Sequence, residues 1–128
     1  MPDQTKNLYQ ELIARLQANS TLTSLVGNKI YSYVPQNTEY PYVRINISSE
    51  LDGHFDESAQ EYTARVQIFS KKHTPAEALD IRELIRNLLD RAEEDLNLEF
   101  IQVSGNQQLF QEDDDLTWQG IIDFKINI

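Results

Sequence analysis

From Leu116 to Ile128, apolar and polar residues alternate almost without a break. Leu116, Trp118, Gly120, Ile122, Phe124, Ile126 and Ile128 fall on one side of a period-2 pattern. Thr117, Gln119, Asp123, Lys125 and Asn127 fall on the other, and Ile121 is the exception. Successive side chains of a strand point to opposite faces, so this stretch predicts a half-buried β-strand. At roughly 3.3 Å per residue it reaches about 40 Å, more than a small domain usually spends on one strand. A strand of that length is expected to overrun its own core, or bend at Gly120, and to pair with a neighbouring subunit.

Helical periodicity appears twice with conviction. Between Asp3 and Ala18, Leu8, Leu12, Ile13 and Leu16 form one stripe, which predicts an amphipathic helix. From Thr74, a Thr-x-x-Glu capping box with Glu77 and a proline at the first helical position predict a second. Its apolar face, Ala78, Ile81, Ile85, Leu88, Leu89 and Ala92, runs to about Glu94. A short helix fits Ser20 to Val26, with Asn19 or Ser20 as N-cap and Gly27 as its stop.

Strands are expected at Ile30–Val34, Tyr42–Ser48, Glu61–Ser70, Leu96–Val103 and Gln107–Gln111, with Gly105-Asn106 as a turn. The polar stretch Ser49–Gln60, containing Asp52-Gly53, reads as a long hairpin tip or a loop. Helix, short helix, strands, long helix, strands is the order of an α+β fold. An antiparallel sheet with the long helix and the N-terminal helices packed on one face is predicted. At 128 residues, one domain spanning 1–128 is expected, with a core large enough to fold unaided.

The charge balance removes whole classes of function. With 21 acids against 11 bases the net charge is −10, and Lys71-Lys72 is the only adjacent pair of bases. Non-specific nucleic-acid affinity comes from clustered cations that neutralise phosphates, so binding along a DNA backbone is not expected. No apolar run nears the roughly 18 residues of a membrane span, and Met1-Pro2-Asp3-Gln4 does not start a secretion signal. Without cysteine there is no thiol chemistry.

Nor does a catalytic constellation emerge. His54 and His73 are the only imidazoles, both in polar surroundings. Asp52, His54 and Asp56 would share one face of an extended segment, but a metal site also needs a fixed geometry. Glu112-Asp113-Asp114-Asp115 lacks the spaced pattern of a calcium loop. None of the four glycines belongs to a phosphate-binding motif, and no serine lies in a nucleophile elbow. No enzyme activity, metal or cofactor is expected.

Contact residues are the better candidates. Phe55 is a bulky apolar residue in a charged stretch, a candidate anchor into a neighbouring subunit. Leu51, Tyr33, Trp118 and the off-pattern Ile121 join it as candidate interface residues. Glu50, Asp52, Asp56 and Glu57 are candidates for an acidic surface.

Seven segments in a fixed order give the chain a family likeness. They are Leu8-Tyr9-x-x-Leu12, Leu25-Val26-Gly27-Asn28-Lys29-Ile30-Tyr31, Val34-Pro35-Gln36 and Tyr40-Pro41-Tyr42-Val43. Val66-Gln67-Ile68-Phe69-Ser70, Glu77-Ala78-Leu79 and Leu116-Thr117-Trp118-Gln119-Gly120 follow. In this the chain resembles the tail completion proteins of long-tailed bacteriophages and prophages, over nearly its whole length. The resemblance implies a non-enzymatic virion protein at the head-proximal end of the tail, joining or capping it. It further implies a ring, usually hexameric, between tail tube protein and head connector proteins, assembled in the bacterial host cytoplasm. DNA would pass through such a ring without being specifically bound, and Glu50, Asp52, Asp56 and Glu57 would suit its lumen. The rival expectation is an acidic binding module that mimics DNA and inhibits a host nucleic-acid-binding protein.

Overall fold

The computed structural model describes residues 4–50, 61–114 and 116–128. The elements run α1 (Thr5–Gln17), α2 (Ser20–Val26), β1 (Ile30–Tyr31), β2 (Tyr42–Glu50), β3 (Glu61–Ser70), α3 (Ala76–Leu89), α4 (Glu93–Leu96), β4 (Phe100–Gln111) and β5 (Trp118–Asn127). The strands form one sheet in the order β1-β2-β3-β5-β4. β2, β3, β5 and β4 are antiparallel to their neighbours, as expected, while the two-residue β1 lies parallel to β2. The fold is α+β.

Alternation along each strand divides the sheet into two faces. Val43, Ile45 and Ile47 of β2 meet Tyr62, Ala64, Val66 and Ile68 of β3 and Ile122, Phe124 and Ile126 of β5, all buried. Helices α1, α2 and α3 lay Leu8, Leu12, Leu16, Leu22, Val26, Ala78, Ile81, Ile85 and Leu89 on that face to complete one core. Full burial of a side chain the size of Phe124 stabilises the fold by about 2–3 kcal/mol. Gly120 lies under α3: a Cβ there would come within 3.7 Å of Ile68 and 3.9 Å of the Ala78 carbonyl oxygen. The small Gly120–Ala78 pair lets the helix ride close to the sheet.

Several local expectations are corrected. The capping box does not close: the helix begins after Pro75 without a side-chain cap, because Glu77 Oε1 accepts a hydrogen bond from Ser70 Oγ at 2.7 Å. α3 stops at Leu89, and Leu96 belongs to α4 rather than to a strand. Gly105-Asn106 is no turn. β4 is continuous, and the register shift between Val103 and Gln107 absorbs Gly105 at φ 90° as a bulge. By contrast α2 caps as expected, with the Asn19 side chain accepting from Leu22 N at 2.9 Å and Gly27 at its end.

The long final strand does not overrun its core. β5 is the fourth strand of five, paired from Trp118 to Asn127 with β3 on one side and with β4 on the other. Its backbone groups are committed inside the chain, so it offers no edge to another subunit. The sheet's true edges are also partly closed. On the β4 edge, Arg91 N donates to Ile101 O (2.8 Å), Val103 N to Asp90 Oδ1 (3.1 Å) and Arg82 Nη1 to Gln108 O (2.9 Å). On the β2 edge, β1 covers Val43 and Arg44, and Ile47 N donates to the Tyr9 hydroxyl of α1 at 2.8 Å. Such covers blunt edge-to-edge association.

Candidate functional site: the open face and one end of the sheet

No described helix covers the second face of the sheet. Cross-strand partners share a face, so the registers place Tyr42, Arg44, Asn46 and Ser48 beside Thr63, Arg65, Gln67 and Phe69. Gln119, Ile121, Asp123 and Lys125 follow on β5, then Gln102, Gln108 and Phe110 on β4. In the middle of this face Ile121, flanked in register by Gln67 and Gln108, is only 6% exposed, and Asp123 only 5%. Arg65 grips Asp123 in a bidentate pair, Nε to Oδ1 at 2.9 Å and Nη2 to Oδ2 at 3.0 Å. The hydrogen bonds that Arg65 donates to Asp123, and the charge of that carboxylate, push the guanidinium further up.

Toward the end where β2 begins and β3 finishes, the face turns aromatic. The Tyr42 and Phe69 rings stack at 4.9 Å, Tyr40 lies tilted 5.1 Å from Tyr42, and the Lys71 ammonium sits 4.5 Å over the Tyr40 ring. Burial pushes the Tyr42 hydroxyl up to about 12, helped by Tyr40 and Glu112 and opposed by Arg44.

The β4–β5 turn stands at the same end. Asp114 organises it: Oδ1 accepts from Leu116 N and Thr117 N, both at 2.9 Å, and Oδ2 accepts from Thr117 Oγ1 at 2.7 Å. The backbone bond from Leu116 leads the bonds that hold the Asp114 carboxyl below its ordinary range. So fixed, the turn presents Leu116 at 63% exposure, although the alternation counted it among the buried residues. Leu25, Leu79 and Phe110, three further exposed large apolar residues, lie at this end too. A hollow of about 400 Å³ opens there, lined by Leu25, Tyr40, Pro41, Lys71, Lys72 and Glu77.

The candidates read from the sequence do not converge on one surface. Ile121 is buried on the open face. Trp118 is half-buried on the opposite, helix-covered face, where its Nε1 has no partner among the described residues. Tyr33, 80% exposed, stands apart in the connection after β1. Glu50 closes β2, its backbone opposite Glu61. Phe55, Leu51, Asp52, Asp56 and Glu57, with His54, lie outside the described residues. Sequence reasoning passed over Leu25, Leu79, Phe110 and Leu116. Leu79 carried a signal, since it falls off the stripe of α3; Leu116 carried another, as an apolar residue directly after four acids.

Among the described residues, no three His, Asp or Glu side chains are placed to hold a metal ion. No described helix is long and apolar enough to cross a membrane. What the site offers is contact surface: an apolar knob on an ordered turn, an aromatic corner, and a hollow with two cations.

In fold, the chain is similar to a chain in a solved structure of the "virion of native gene transfer agent (GTA) particle". The TM-score is 0.77 at 14% identity, covering 91% of this chain and 90% of that one. No curated protein matches the sequence. The family model described as "Tail completion protein gp17" matches residues 10–128, from α1 to the end of β5. The chain belongs to the tail completion protein gp17 family, and so to the structural proteins of phage tails.

Proposed function

We propose that the chain is a non-enzymatic assembly subunit that forms a ring, a hexamer, at the head-proximal end of a phage tail. The observation that carries this is the family match across residues 10–128. In this reading 1–128 acts as one domain. It touches tail tube protein on one side and head connector proteins on the other, after assembly in the host cytoplasm. The acidic charge, −10 overall, suits a passage that DNA crosses without sticking. Glu50, Asp52, Asp56 and Glu57 are the lumen candidates, and Phe55, Leu51, Tyr33, Ile121 and Trp118 the interface candidates. No cofactor takes part.

Deleting the gene in its phage or prophage and imaging the lysate by electron microscopy tests the role. Filled heads lying apart from tails, or tails of uncontrolled length, are expected. Intact infectious particles would overturn it and favour an acidic module acting on a host nucleic-acid-binding protein. A Phe55→Asp variant is expected to fold and yet fail to enter tails; normal incorporation removes Phe55 as an anchor.

A further inference from the structure

We propose that the corner of the open face beside the β4–β5 turn receives an arginine side chain presented by another protein. In that contact Phe110 lies against the guanidinium plane, Glu112 and Asp113 meet its charge, and the Gln119 amide oxygen accepts one of its N–H groups. The contact is independent of ring formation.

The residues that carry the site form one row across four strands. The registers align Tyr42, Phe69, Gln119 and Phe110 on one face of β2, β3, β5 and β4. Gln119 is flanked in register by two phenyl rings and is only 8% exposed. Yet its side-chain amide makes no hydrogen bond among the described residues. A buried amide without a partner costs free energy until something supplies one. Gln119 lines a hollow of about 360 Å³ together with Phe110, Gln111, Glu112, Asp113 and Asp114, so a guest in that hollow can supply it.

The other walls set the sign of the guest. Glu112 and Asp113 have no ion pair among the described residues. Lys71 acts on Asp114, but as the smallest influence on a carboxylate already held by Leu116 N, Thr117 N and Thr117 Oγ1. Glu112 N donates to Thr117 O at 2.8 Å, so the acids stand on an ordered frame and little ordering entropy is lost on docking. Phe110, 39% exposed, adds an aromatic surface that attracts cations. A guanidinium suits all of these walls, being planar for the ring and carrying several donors for carboxylates and amide. A divalent ion suits them less: a phenyl ring is no ligand, and no three His, Asp or Glu side chains among the described residues are grouped to hold one. The arginine comes from another protein. Four of this chain's six arginines are already bonded within it: Arg15 to Leu88 O and Asp95, Arg65 to Asp123, Arg82 to Gln108 O and Arg91 to Glu93.

Titrating Nα-acetyl-arginine amide into the isotope-labelled protein, followed by NMR, tests the contact. Saturable shifts are expected in the Gln119 side-chain amide and in the backbone amides of Phe110, Glu112 and Asp113. Nα-acetyl-citrulline amide, similar in shape but uncharged, should leave them unmoved. The double variant Glu112→Gln, Asp113→Asn exchanges charge-assisted bonds for neutral ones, which should weaken arginine binding roughly tenfold. Gln119→Leu should weaken it too while leaving folding stability unchanged or higher, because an apolar side chain suits that buried place better than an unpartnered amide. No saturable shift, equal shifts with citrulline, or full-strength binding to either variant overturns the proposal. So do shifts of the same signals driven by protein concentration alone, which would make a second copy the guest. Tighter saturation by calcium chloride also overturns it, since the hollow would then be a metal site. All of these results leave the tail role standing, which the gene deletion tests.

Discussion

Removing one oxygen from Tyr9 measures how the β2 edge is closed. The Tyr9 hydroxyl accepts from Ile47 N at 2.8 Å and donates to Asn46 Oδ1 at a longer 3.4 Å. Ile47 is buried and lies beyond the short β1, so no described strand stands opposite its N–H. In Tyr9→Phe the ring stays and the N–H loses its acceptor. A neutral hydrogen bond contributes about 1 kcal/mol net, and a buried donor left unmet costs about 1–3 kcal/mol. Tyr9 is only half-buried, so water can enter in place of the oxygen, and the lower end applies: about 1–1.5 kcal/mol. At about 2.1 cal/mol/K of unfolding entropy per residue, that lowers Tm by roughly 4–6 °C for a chain of this length. Denaturant unfolding should show a lower midpoint at unchanged slope, and the Ile47 amide should exchange faster in the variant. An Asn46→Ala control should cost less than half as much, its bond being long and exposed. Stability of Tyr9→Phe within about 0.3 kcal/mol of wild type, with Ile47 exchange unaltered, would mean that Tyr9 does not seal this edge.

Three other substitutions or titrations follow from the same geometry. At Gly120 an added Cβ meets Ile68 at an ordinary 3.7 Å, so Gly120→Ala should be near neutral, whereas Gly120→Val should overpack α3 against the sheet and cost about 1–3 kcal/mol in thermal or chemical unfolding. Tyr42 titrates at about 12 when folded and at 10.0 when unfolded. Its contribution is thus whole below pH 10 and is lost as pH rises from there toward 12, and Tyr42→Phe should remove that part of the alkaline decline followed by circular dichroism. Asp114 has the opposite sign: its depressed carboxyl favours the fold above the ordinary carboxylate range, and the benefit fades as pH falls through its folded value. Carboxyl NMR should find it titrating below the other exposed acids, and Asp114→Asn should unpin the Leu116 amide; an ordinary titration would show that the turn is not held as described.

Patterns carried by a few consecutive residues were legible before any coordinates. The alternation of β5 and β3, the stripe of α1 and the Asn19 cap of α2 all depend on near neighbours, and all hold. Features decided by distant partners were not. Gly105-Asn106 has the chemistry of a turn, yet the ladder with β5 outweighs it and makes a bulge. Glu77 has the spacing of a capping residue, yet Ser70 from the preceding strand claims it. Likewise the length of β5 suggested a strand in search of a partner; it needs that length because two long strands of its own chain flank it. Leu116 followed the period but not the burial, since the ladder begins only at Trp118. The hollow went unread for the same reason: Leu25, Tyr40 and Lys72 are far apart along the chain and come together only in the fold.

The place of β5 also governs when this protein can exist at all. It follows every other described element along the chain, yet it is the strand that both β3 and β4 require as partner. A ribosome that has made everything up to β4 has produced helices and a β2–β3 hairpin but no complete sheet. Two ladders then form together once β5 emerges, closing contacts between residues some 50 positions apart, such as Ser70 with Trp118. A message cut short before Leu116 yields a chain with two long bare edges, a substrate for proteases and aggregation rather than a partial subunit. Translation thereby delivers either a chain whose sheet can close or one that the cell clears.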